Sequence, residues 1–182
     1  MAHPRRFWLR RAPWLLGGLL LAGTLGSCQA EVVEDYTVTA ITTYTWAADY
    51  RPAGVSPDRP SDTRQETFAT SQLVMENNQR PANAVGAADA QGLWWPSLPP
   101  QPTVDELEAR QRERERASAP RVIQSVAYQL TFALEGEQRT LPMQYPVYRK
   151  ALQAQSQGSA IAITLAPGQG LVTQVEAVST AP

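Results

Sequence analysis

At 182 residues the chain has room for one domain with a tail or an insertion. Its formal net charge is −1; removing the four arginines of residues 1–27, a stretch without acids, leaves 12 basic against 17 acidic residues, or −5, and such a surface has no electrostatic reason to seek nucleic acid. The only histidine is His3 and the only cysteine is Cys28. An internal disulfide, a zinc site of the Cys/His type and Ser-His-Asp or Cys-His catalysis are therefore excluded beyond residue 28.

Residues 1–27 open with Arg5, Arg6, Arg10 and Arg11 and continue into an apolar run from Pro13 to Leu25. That run falls short of the about 20 apolar residues a bilayer-spanning helix needs. A basic start, a short apolar middle and a small-residue end are the pattern of a cleavable secretory signal peptide, with an uncleaved anchor as the alternative. The stretch closes on Leu25-Gly26-Ser27-Cys28. This resembles the lipobox of bacterial lipoproteins, and the resemblance implies cleavage before Cys28 and lipidation of that cysteine. The protein would then be exported and lipid-anchored at the periplasmic face of a membrane, several acyl chains holding stably where one holds marginally. Ordinary leader cleavage, with Cys28 as an incidental thiol, is the competing reading. Arg5-Arg6-Phe7-Trp8-Leu9-Arg10 also resembles a twin-arginine export signal, although paired arginines arise by chance in any basic leader.

Residues 28–34 are expected to serve as anchor and tether. From Tyr36 to Trp46, aromatic and small apolar residues alternate with threonines, the period of a strand. Arg51 to Thr63 is turn-rich, and Gln65 to Met75 reads as a second strand closed by Asn77 and Asn78. Residues 79–102 carry closely spaced prolines that favour polyproline II, and they do not read as packed. Thr103-Val104-Asp105-Glu106 is a capping box. The helix it opens is expected to run to about Ser118 as a solvated bridge, with Glu106–Arg110 and Glu108–Arg112 pairs four apart. Val122 to Leu134 is the clearest strand, followed by a turn at Glu135-Gly136-Glu137 and a short return over Arg139 to Met143. A short helical turn from Tyr145 to Ala154 and a hairpin pairing Ser159–Leu165 with Leu171–Val178 complete the chain.

The expected fold is mainly β: a small antiparallel barrel or sandwich of about five or six strands, with one polar helix and a Pro-rich insertion. In chain order that is a first part of the β-domain at 35–78, the insertion and helix at 79–119, a second part at 120–178, and a tail at 179–182. The order of elements over 121–178 resembles small barrels of the oligonucleotide/oligosaccharide-binding or SH3-like type, a likeness of architecture without a motif behind it.

The sequence carries no cofactor motif and no calcium-loop or phosphate-loop spacing. The enzymatic exception is a carboxylate pair or a serine with a lysine base, the latter drawing on Lys150, the only lysine, with Ser156 and Ser159 nearby. The leading expectation is a non-enzymatic, membrane-tethered envelope module that binds another envelope component, an envelope protein among the possible partners. Trp94, Trp95 and Pro96 are its candidate contact residues, unless the indoles fold back on the domain and staple the loop. The alternative is a carrier of small apolar ligands, with Tyr36, Tyr44, Trp46, Tyr128 and Phe132 lining a cavity rather than filling a core.

Overall fold

A computed structural model of the chain describes residues 30–54 and 63–178. The leader, its lipobox and Cys28 lie outside the described residues. Among the described residues eight strands form one mixed, open sheet. They are β1 (Glu31–Val33), β2 (Tyr36–Pro52), β3 (Arg64–Glu76), β4 (Glu115–Ala117), β5 (Arg121–Leu134), β6 (Glu137–Met143), β7 (Ala160–Leu165) and β8 (Val172–Val178), with helices α1 (Val104–Ala109) and α2 (Tyr145–Ser156). Their order in the sheet is β1-β7-β8-β6-β5-β2-β3, and the short β4 pairs with the end of β2.

The fold is thus mainly β, as expected, with more strands than the sequence suggested. Two features depart from a purely antiparallel barrel: the sheet does not close on itself, and β6 pairs with β8 in parallel, at Met143–Val172. The parallel pair arises because α2 leads from β6 to β7, and β8, antiparallel to β7, then turns back into the place between them. The sheet curls until β1 lies against β5, and α2 packs on β8 while reaching β2, β5 and β7. The tether expected at 28–34 is partly strand, since β1 pairs with β7.

The central ladder joins β2 to β5. Tyr36 faces Phe132, Val38 faces Leu130 and Ala40 faces Tyr128 on the inner side. The threonines between them lie on the other face, where Thr131 and Thr140 pair their hydroxyls at 2.9 Å. A two-residue turn with both residues at positive φ, Glu135 at 51° and Gly136 at 85°, joins β5 to β6. That geometry matches the right-handed twist of a hairpin and favours glycine at its second position. The core gathers Val33, Val38, Leu130, Phe132, Ile161, Ile163, Val172 and Val175 with Tyr148, Ala151 and Ala154 of α2. The three α2 residues recur every third position and make one helix face.

Residues 93–102 correct the expectation of an unpacked insertion. Leu93, Pro96, Pro99 and Pro102 are buried, the three-residue period of polyproline II laid along a surface. A polyproline II segment makes no internal hydrogen bonds, so its carbonyls need outside donors. Thr42 Oγ1 donates to the Trp94 carbonyl at 2.8 Å, Trp46 Nε1 to Pro99 at 2.9 Å and Ser71 Oγ to Ser97 at 2.6 Å. Further on, the Tyr50 hydroxyl donates to Leu107 at 2.8 Å. Thr42, Trp46 and Tyr50 fall every fourth residue along β2, so one face of that strand supplies two of the strap's donors and one for α1.

The polar helix is also corrected. Its capping box forms, Thr103 N donating to Glu106 Oε2 at 2.7 Å, but α1 ends at Ala109. Arg110, expected to pair along the helix, lays its guanidinium over the Phe68 ring at 4.2 Å and bonds to the Thr67 carbonyl. Arg114 takes a positive φ of 63°, and the chain then pairs as β4. A helix with so little apolar surface buries almost nothing, and the tertiary partners win.

Glu115 anchors this corner. Arg64 grips it through both carboxylate oxygens, at 3.3 and 2.7 Å, while stacking over Tyr50 at 4.6 Å. Donation from Arg64 holds the Glu115 carboxyl below its usual range, against the opposing effect of burial. A carboxyl depressed in the fold contributes stability above its unfolded-chain value and loses it as pH falls through the folded one. Melting temperature should therefore drop on acidification below the ordinary glutamate range, and Glu115→Gln should flatten that drop. An unchanged acid limb in the variant would rule out the pair as its source.

Candidate binding groove

The Asn77-Asn78 turn, the 89–92 turn and α2 enclose an open cavity of about 680 Å³. Asn77 and Asn78 both sit at positive φ, 50° and 56°, a conformation asparagine tolerates better than most residues. The turn is pinned to β2 in both directions: Asn77 N donates to the Val38 carbonyl at 2.7 Å, and Val38 N donates to Asn77 Oδ1 at 2.9 Å.

Asp89 organises the opposite wall. Its Oδ1 accepts from Gln91 N at 2.8 Å and Leu93 N at 2.9 Å, and its Oδ2 accepts from the Trp95 indole at 2.9 Å. Burial works against the charged carboxylate, but the donors around it prevail and keep Asp89 below its usual value. Gly92 closes the turn at φ 81°.

The third wall is α2. Tyr148 is 1% exposed and lines the cavity. Its ring packs 4.6 Å from Tyr128 and 6.4 Å from Tyr145, centroid to centroid. Its hydroxyl is buried without a hydrogen-bond partner among the described residues, and burial pushes it above the usual phenol range. Beside it stand Arg149 and Lys150. Arg149 donates to the Tyr145 hydroxyl at 3.3 Å. Among the described residues no carboxylate lies within ion-pair distance of either cation. The rest of the lining is dominated by carboxamides, with Asn77, Asn78, Gln91, Gln153 and Gln155, and it contains no acid.

A second cleft, of about 390 Å³, adjoins the first; Ala90 and Gln91 line both. Trp95, Gln124 and Ser125 form its other sides.

Of the contact residues expected from sequence, Trp95 stands on the wall of this second cleft, half-buried, its ring 4.9 Å from Tyr44. Trp94 is half-buried against the core and Pro96 is buried in the strap. The carrier-lining set divides in two: Tyr36, Tyr128 and Phe132 gather at the core, with Tyr36 and Phe132 bordering an open cleft there, while Tyr44 and Trp46 lie at the strap. Phe132 is in the core with Tyr36 and Tyr128 packed against it, the Tyr36 hydroxyl donating to the Ser159 carbonyl at 2.9 Å, while Tyr44 contacts Trp95 and Trp46 bonds the strap. Lys150 and Ser156 both line the first cavity, but the Ser156 hydroxyl donates to the Gln153 carbonyl at 2.8 Å. Among the described residues no three His, Cys, Asp or Glu side chains stand together as a metal site, and no helix is long and apolar enough to cross a membrane.

Lys150 and Ser156, candidates for chemistry in the sequence, share the cavity with Asn77, Gln91, Tyr148 and Gln153, which the sequence does not single out as site residues. One local signal was present: residues 145–156 hold two adjacent cations and no acid. No protein-family model matches the chain, and neither does any curated protein or solved structure.

Proposed function

We propose that this chain is a bacterial envelope lipoprotein, tethered through lipid on Cys28, whose β-domain acts as a non-enzymatic binding module through the groove beside α2. The observation that carries the binding half is the groove itself: two cations that have no carboxylate partner among the described residues, beside a wall of carboxamides, a setting that attracts a partner of opposite charge. The lipobox resemblance supports the address. With β1 beginning at Glu31, only three residue steps separate it from Cys28, a span of at most about 11 Å. The tether would therefore hold the β1 edge of the sheet close to the bilayer surface.

One experiment tests both halves. A photo-crosslinking amino acid replaces Gln153 in the groove or, as a control, Thr140 on the other face of the sheet, and the membrane-extracted protein is weighed intact. The mass should correspond to a chain starting at an acylated Cys28. Irradiation should give an adduct with an envelope component from position 153 only, and that adduct should disappear with Arg149→Gln/Lys150→Gln and fall with Cys28→Ser. An unacylated soluble product sinks the tether. An adduct indifferent to the groove cations, or equal from both positions, sinks the binding site.

A further inference from the structure

The groove's chemistry narrows what it holds. This inference rests on the groove being a binding site, and it concerns the class of ligand. Beyond residue 28 the chain is acidic, at −5, yet the larger cleft contains no carboxylate and presents Arg149 and Lys150, the latter the only lysine of the chain. Such a local reversal of sign selects an anion. Arg149 and Lys150 are consecutive on α2, so their side chains leave the helix about 100° apart, yet both line the cleft, and they suit acidic groups that recur along a ligand.

Around these cations, Asn78, Gln91, Gln153 and Gln155 each offer a carboxamide that both donates and accepts. A wall of that kind satisfies a ligand dense in hydroxyl or acetamido groups. It offers little to a peptide, which would look for apolar side-chain pockets or a free strand edge; Leu152 is the one large aliphatic residue in the lining. On the other side of Gln91, Trp95 brings an indole to the second cleft. Its orientation is locked by the bond to Asp89 and by packing on Tyr44, and an apolar ring face of this sort packs on the C–H face of a sugar. The one acid of that cleft is already occupied by donors on both oxygens.

We infer that the two clefts form one continuous site, bridged by Gln91, for a linear acidic saccharide. Its sugar ring lies against Trp95, its hydroxyls meet the carboxamides, and its acidic groups meet Arg149 and Lys150.

The test titrates the full mature protein in detergent with three probes by calorimetry: tetragalacturonic acid, its methyl ester, and a glutamate tetrapeptide of equal charge. Tetragalacturonic acid should bind, and the ester and the peptide should each bind at least about tenfold more weakly. Arg149→Gln/Lys150→Gln should weaken the acid by about tenfold or more while leaving the already weak ester unchanged. Equal binding of acid and ester, or of saccharide and peptide, overturns the inference. So does failure of tetragalacturonic acid to bind; if the crosslink from position 153 still depends on the cations, the groove remains a site for something else, and if that dependence is absent too, both readings fall.

Discussion

Replacing Phe132 by alanine should lower the unfolding free energy by about 3–5 kcal/mol. Phe132 is 1% exposed, sits opposite Tyr36 in the central ladder and belongs to the cluster that joins Val33 of β1 to Val38 of β2. Truncation removes a ring from a place where the curled sheet meets itself, so the cavity left behind cannot collapse without shifting two strands. Chemical denaturation measures it: the midpoint should fall while the slope stays that of the parent, because the same surface is exposed on unfolding. The experiment also separates two roles for this residue. A side chain lining a ligand cavity would alter ligand content at little cost in stability, whereas one that fills the core costs what a core residue costs. A loss under about 1 kcal/mol would return Phe132 to the lining of a cavity.

Leu93→Ala should destabilise by about 2–5 kcal/mol, although Leu93 lies within a segment read from sequence as an unpacked insertion. It is 1% exposed and joins the same cluster as Met75, Tyr148 and Val38. The strap it begins is fastened to β2 by the Thr42 and Trp46 donors. Losing Leu93 should therefore weaken the whole domain rather than release a loop. The discriminating measurement compares tryptophan fluorescence, which reports on Trp46 beneath the strap among other indoles, with circular dichroism of the sheet. In the variant both should move together to the same lower midpoint. A fluorescence transition preceding the loss of sheet would show that the strap opens independently.

The strands legible in the sequence share a property. Tyr36 to Trp46 and Val122 to Leu134 alternate with period two, and that pattern survives whatever partner the strand finds. Their ends were less legible: β2 extends to Pro52 because β3 and β4 are there to pair with it. The turn at Glu135-Gly136 and the capping box at Thr103 are satisfied within a few residues, and both formed as read. The groove was not legible. Its lining comes from three separate stretches around residues 77, 91 and 150, each of which reads as ordinary polar surface until the fold brings them together.

By itself the sequence determined the mainly β class, the alternation of the main strands, the local turns and cap, and the exclusion of imidazole and thiol chemistry beyond residue 28. Only the tertiary structure decided where α1 stops, whether the proline-rich segment packs, and which polar residues share a site. The reason is range. Thr42 satisfies Trp94 from 52 positions away, and Arg64 holds Glu115 from 51. Periodicity and capping act over a few residues, whereas a donor, a counter-ion or a cavity wall is chosen by what the folded sheet sets beside it.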